Sequence, residues 1–308
     1  MNDQPAILVT GATGTTGSRV AALLTAGESA VTVASRDPAG RPGARAARFD
    51  WHDSGTFDDA LRQADRLYLV PPPRDSSPAT VMLPFLERAS AAGIRRVVLL
   101  SAAIIPSGGP GAGVVHAALP DMFDEWAVLR PAWFMQNFIG VHPHARGIRD
   151  HGVIMTATGS GRVGFIDADD IAEVAVRALT AEAAPNSDLV ITGPEALSYD
   201  DIAATISQVT GAPVTHRHLT EQQLRDRLAI IMPADFAAQL AAGDRAIAEG
   251  TQEFLTTTVE RVTGHPARGF RAFVENNRAG LPGHTADAGD ARSDDRDPAG
   301  THRRSGMG

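Results

Sequence analysis

Three apolar residues, Ile7-Leu8-Val9, run directly into Thr10-Gly11-Ala12-Thr13-Gly14-Thr15-Thr16-Gly17, and an apolar helical run (Val20, Ala21, Leu23, Leu24) begins at once behind them. Consecutive apolar residues read as a strand buried on both faces. Strand, glycine turn and helix in that order are the phosphate-binding unit of a doubly wound parallel sheet, the Rossmann architecture. Gly11 can take backbone angles closed to other residues. Gly14 has no side chain to hold a diphosphate away, and Gly17 lets the helix lie close on the strand. The helix N-terminus then offers unpaired N–H groups and the positive end of its dipole to an anion. Thr10, Gly11, Thr13, Gly14, Thr15, Thr16 and Gly17 are therefore the expected seat of a dinucleotide, the plain alternative being a glycine-rich turn with no ligand.

The first half continues the alternation of strand and helix that a parallel sheet with helices on both faces requires. Strands are expected at Ile7–Thr10, Ala30–Ala34, Arg48–Asp50, Leu67–Val70, Val97–Ser101 and Ala127–Arg130, with a later one at Leu189–Thr192. A Pro-, Gly- and Arg-rich loop occupies the stretch before Arg48. Thr56 is placed to cap a helix, and Pro84 predicts a kink or late start in the helix after Ser77-Pro78. Asp169 or Asp170 should cap the helix carrying Ile171, Val174 and Leu179. Ser198 with Asp201, and Thr220 with Gln223, have capping-box spacing. The organisation expected is a dinucleotide-binding domain over 1–155, to which 163–195 returns, a small helical substrate part over 196–280, and a disordered tail over 283–308 that has almost no apolar residue.

With 36 acidic against 28 basic residues and a formal net charge of −8, the chain is a poor partner for nucleic acid or an anionic membrane. It has no cysteine, so disulfides, thiolate nucleophiles and zinc–sulfur sites are excluded. No apolar run is long enough to span a bilayer, and the first strand starts too early to leave room for a signal peptide. The expectation is a soluble, cytoplasmic protein. It also has no lysine, which removes the Walker-type phosphate loop, Schiff-base chemistry and any Tyr-x-x-x-Lys acid pair.

At the end of the second strand, where this fold meets the adenosine ribose, stand Ser35 and Arg36. A hydroxyl and a guanidinium suit the 2′-phosphate of NADP better than the bare ribose of NAD. NADP(H) is the cofactor expected, with a solvated surface charge as the alternative for Arg36. Asp50 is placed to meet the adenine edge or to cap a loop. Val70 and Pro71 would line the ribose side.

The threonine-led glycine turn is similar to that of the short-chain dehydrogenase/reductase superfamily. Further stretches narrow the likeness: Ala34-Ser35-Arg36, Arg48-Phe49-Asp50-Trp51, Leu67–Pro73, Val97–Ala102, Gly113–Leu119, Val128–Phe138, Gly164–Ala175 and Ile191–Ala203. Together they resemble the NmrA-like atypical branch, and within it the ergot-alkaloid biosynthesis reductases of festuclavine dehydrogenase type. The resemblance implies an NADPH-dependent reductase acting on an iminium compound. The branch also holds quinone reductases and non-catalytic nucleotide sensors, and a sensor would use a homodimer or another protein as partner.

The residues bear on the chemistry independently. Reducing a ketone makes an alkoxide that needs a proton donor, and the usual Tyr/Lys pair is absent. An iminium accepts hydride and becomes a neutral amine, and a quinone gives a weakly basic anion. Positioning and electrostatics then suffice. Ser101, at the end of the fifth strand, and His116, in the following helix, are the candidate assisting groups, the histidine having an ordinary pKa of about 6.5. Alternatively they are a strand-end hydroxyl bonded to backbone and a partly exposed helix histidine. Trp133, Phe134 and Asn137 follow the sixth strand beside the expected nicotinamide, where aromatic rings can stack on a flat cationic substrate or simply pack in the core. His142, His144, His216 and His218 read as loop histidines. With no third ligand signposted, no metal is expected.

Overall fold

The computed structural model describes residues 5–38 and 40–282. Its elements, in chain order, are β1 (Ala6–Val9), α1 (Gly17–Ala26), β2 (Ala30–Ser35), β3 (Ala44–Arg48), α2 (Phe57–Leu61), β4 (Arg66–Leu69), α3 (Ala79–Ala91), β5 (Arg96–Leu100), α4 (Ala112–Met122), β6 (Glu125–Pro131), α5 (Pro143–His151), β7 (Val153–Thr156), α6 (Ala168–Thr180), β8 (Ser187–Ile191), α7 (Tyr199–Thr210), β9 (Thr215–His218), α8 (Glu221–Ala229), α9 (Ala234–Ala248), α10 (Thr258–Thr263) and α11 (Phe270–Asn276).

Seven strands form a parallel sheet in the order β3-β2-β1-β4-β5-β6-β8. Strand β1 is the centre from which the chain winds both ways, so the crevice outside the carboxyl ends of β1 and β4 is the switch point where ligands bind in such folds. Period-two alternation divides the core between the sheet faces. Ile7 and Val9 join one cluster with Val20, Leu24, Ile171 and Leu179, while Leu8 joins the other with Phe57, Phe85 and Leu86. Helices α1 and α6 lie on the first face, where Arg19 Nε meets Asp169 Oδ1 at 2.5 Å. Arg96, fully buried on β5, donates to carbonyls at the end of α6, among them Ala181 O at 2.6 Å, and pairs with Glu125 at 2.6 Å.

Several expectations are corrected. The third strand is Ala44–Arg48, so the last four residues of the loop expected there are sheet. Thr56 makes no side-chain cap on α2; its hydroxyl donates back to Asp53 O at 2.7 Å. Helix α3 runs through Pro84, which deprives only the exposed Thr80 of a helical donor. Asp167, not Asp169 or Asp170, caps α6, because it holds the extended backbone of a cap and accepts from Asp169 N–H at 3.0 Å. Both capping boxes, Ser198/Asp201 and Thr220/Gln223, are formed. A second, two-stranded parallel sheet, β7 with β9, carries part of the later chain. The tail expected over 283–308 lies outside the described residues.

Candidate functional site

The glycine turn is dictated partly by the protein's own packing. Gly11 has φ +60°, and a Cβ there would stand 3.0 Å from Val70 Cβ. At Gly17 a Cβ would lie 2.3 Å from Gly11 O, so no side chain fits where α1 meets the turn. Gly14 has the most room of the three, a Cβ there standing 3.2 Å from Gly11 O, which would have to give by a few tenths of an ångström. The N–H groups of Thr13, Thr15 and Thr16 donate to nothing among the described residues. Helix α1 has no side-chain cap and no acid in its first turn. This cradle fits an anion. Thr10 acts behind it: its hydroxyl donates to Tyr68 O at 3.2 Å and accepts from Val70 N–H at 2.8 Å, tying β1 to the end of β4. Val70 thereby stands opposite Gly11, with the half-buried Pro71 next along the chain.

Beside the turn lies a cavity of about 360 Å³ lined by Ala12, Thr13, Ser18, Val33, Ser35, Gly40 and Arg41. Arg41 was missed in the sequence reading. A tight turn, Ala44 N–H to Arg41 O at 3.0 Å, folds it back toward α1, where its Nη1 donates to Ser18 O at 2.9 Å. A cation within reach of the second strand's end was the only signal. Ser35 lines the cavity while its hydroxyl donates to Asp37 O at 2.8 Å. Arg36 is exposed and does not line it. Asp50 closes a local turn, its Oδ1 accepting from His52 N–H at 3.0 Å.

Further along the carboxyl edge, Ser101 follows β5, with its N–H bonded to Leu129 O at 2.7 Å and its buried hydroxyl without a partner among the described residues. Trp133 lies beneath α9: a Cβ at Gly243 would be 3.7 Å from Trp133 Cζ2 and 3.9 Å from Ile104 Cδ1. Phe134 bridges to Ile166, and both Phe134 and Asn137 are half-buried. Asp244, next to Gly243, accepts from Ala157 N–H at 2.8 Å. Burial pushes its pKa up to about 6. It too escaped the sequence reading, since only folding buries it.

His116 is not the partly exposed histidine that was the alternative reading. It is buried, 6.2 Å from the Trp126 ring, with Asp188 and Arg130 as its charged neighbours against β6. Burial lowers its pKa, which favours the neutral ring over a proton donor near neutrality. Tyr68 and Tyr199 are both buried, and desolvation raises the pKa of both phenols. Of the paired histidines, only His142, the residue capping α5, lies outside a helix or strand. His144 is in α5 and His216 and His218 are on β9, where Asp200 joins them as a third group.

Comparison with known proteins follows the same lines. A model of the NAD dependent epimerase/dehydratase family matches residues 7–117, and one of the NmrA-like family matches residues 125–267. The uncharacterised oxidoreductase YesF of Bacillus subtilis is 42% identical over 280 residues, spanning 91% of this chain and 97% of that protein. Agroclavine dehydrogenase of Claviceps fusiformis is 39% identical over 283 residues, spanning 88% and 97%. The chain belongs to the NmrA-like family. Within it, the chain is of the NAD(P)H-dependent oxidoreductase type. Its fold is that of the Escherichia coli NADPH-dependent quinone oxidoreductase complexed with NADPH, at TM-score 0.74 and 23% identity over 88% of this chain and 99% of that one. The Citrobacter triphenylmethane reductase complexed with NADP(H) shares it at TM-score 0.71 and 21% identity, with 88% and 99% covered. No helix among the described residues is long and apolar enough to cross a membrane.

Proposed function

We propose that this protein is a reductase that prefers NADPH and transfers hydride to a small imine or iminium-type organic substrate. The observation that carries the reading is the poverty of proton donors at a well-built nucleotide site. The chain has no lysine, both tyrosines are buried in the core, and His116 is held toward its neutral form. NADPH held in the cradle would supply hydride, and an iminium carbon that takes it up needs no proton, because the C=N π pair stays on nitrogen as the amine lone pair. Every other contribution is the protein's own.

The cradle from Gly11 to Gly17 holds the diphosphate through backbone donors. Ser35 and Arg41, with the exposed Arg36, meet the 2′-phosphate. The unpartnered Ser101 hydroxyl orients the acceptor by a hydrogen bond. Trp133, with Phe134 and Asn137 beyond it, offers an aromatic wall on which a flat cation stacks. Helix α9 over Trp133 keeps water from the acceptor. Relatives named agroclavine dehydrogenase and festuclavine synthase support a small organic substrate.

NADPH oxidation should be followed with a panel of cyclic iminium salts, imines, quinones and simple ketones. Turnover of the iminium compounds with little of the ketones is expected. Turnover of quinones alone would replace the substrate class. Tight NADPH binding with no turnover on any acceptor would point instead to a sensor.

A further inference from the structure

We propose that Asp200, His216 and His218 form a binding site for one divalent transition-metal ion of the zinc class. The three residues come from the first turn of α7 and from β9, the strand paired with β7 in the small second sheet. The capping box of Ser198 and Asp201 sets the α7 N-terminus, which places Asp200 in the first turn. Period two along β9 puts His216 and His218 on one face of the strand.

The ligand atoms converge. His216 Nδ1 is 3.4 Å from Asp200 Oδ1, His218 Nε2 is 3.7 Å from Asp200 Oδ2, and all three ligand atoms lie within 4.8 Å of one another. Bonds of about 2.0–2.2 Å in tetrahedral geometry put ligand atoms roughly 3.3–3.6 Å apart. One edge of such a site, His216 Nδ1 to Asp200 Oδ1, is already at that spacing. The edges to His218, which stands 3.7 Å from the other carboxylate oxygen, close by a rotamer adjustment of its 54% exposed side chain.

The second observation is His216 itself. Its side chain is fully buried, its Nε2 is held by Thr156 Oγ1 at 2.7 Å, and that hydroxyl is in turn bonded to Thr158 Oγ1 at 2.7 Å. The other ring nitrogen, Nδ1, is buried and has no hydrogen-bond partner of good geometry among the described residues, although a carboxylate oxygen stands beside it at 3.4 Å. An ordinary His–Asp hydrogen bond would have satisfied it. A ring oriented through one nitrogen and bare at the other is the arrangement found around metal-binding histidines. Two imidazoles and a carboxylate suit zinc, nickel or cobalt better than calcium or magnesium, and three protein ligands leave a position for water. The exposure of Asp200 and His218, 53% and 54%, gives the ion a path in.

The test uses the full chain without a polyhistidine tag, stripped with a chelator and titrated with zinc sulfate in a calorimeter. Cobalt(II) serves as a spectroscopic stand-in. One equivalent should bind saturably, raise the melting temperature and give a cobalt ligand-field spectrum. His218→Ala and Asp200→Asn, both at exposed positions, should fold normally by circular dichroism and each lose at least tenfold in zinc affinity. Absence of saturable binding in the wild type overturns the proposal. So does full affinity in either variant, which would assign the ion to other histidines or to two imidazoles alone.

Discussion

Replacing Arg41 with alanine asks which guanidinium distinguishes NADPH from NADH. Arg41 lines the cavity beside Ser35 and α1, whereas Arg36 is exposed and does not line it. A hydrogen bond from a charged donor contributes about 1.5–3 kcal/mol. Arg41 is only half-buried, and solvent screening reduces this to about 1–2 kcal/mol. That corresponds to roughly a 5- to 30-fold rise in Kd for NADPH. NADH lacks the phosphate and should weaken by less than about twofold, the residue of losing the bond to Ser18 O that anchors the loop. Arg36→Ala, at an exposed charge worth about 0–1 kcal/mol, should cost NADPH at most about fivefold. Calorimetric titration of wild type and both variants with each nucleotide, at two salt concentrations, measures all of this. Equal weakening of NADPH and NADH by Arg41→Ala would refute the assignment. Selectivity that vanished only in Arg36→Ala would move the phosphate to Arg36.

Gly17→Ala must push α1 away from Gly11 O, backbone against backbone, and should lower stability by about 1–3 kcal/mol. Gly14→Ala, with more room, should keep a near-native melting temperature and lose NADPH affinity; native affinity in that variant would remove the diphosphate from the turn. For Asp244 the folded-state pKa is raised from 3.8 to about 6. The folded protein therefore binds the proton more tightly than the unfolded chain across that window, and its contribution to stability falls as pH rises through it. Asp244→Asn should stabilise the protein at pH 7.5 by up to about 3 kcal/mol and hardly at all near pH 4. Urea midpoints at the two pH values check this, and an unchanged difference between variant and wild type would contradict it. His116→Ala should lower the melting temperature, because it empties a buried site beside Trp126, and leave the pH dependence of turnover as it was; a lost limb in the pH–rate profile would return His116 to the chemistry.

What the chain reveals unaided is whatever neighbours in sequence decide. The spacing of Gly11, Gly14 and Gly17, the apolar run Ile7-Leu8-Val9, and the boxes at Ser198/Asp201 and Thr220/Gln223 all act within a turn or two, so the doubly wound sheet and its glycine turn were legible. The choice of Asp167 over Asp169 as a cap was not, because it depended on where the backbone left the extended region. Other features exist only once distant segments pack: Arg41 folded onto α1, the orphaned hydroxyl of Ser101, Trp133 beneath Gly243, and Asp200 brought to His216 and His218. Those contacts are set by how helices and strands far apart in the chain share one core. Burial, which moves the pKa values of His116 and Asp244, is a property of that core and of no single stretch of residues.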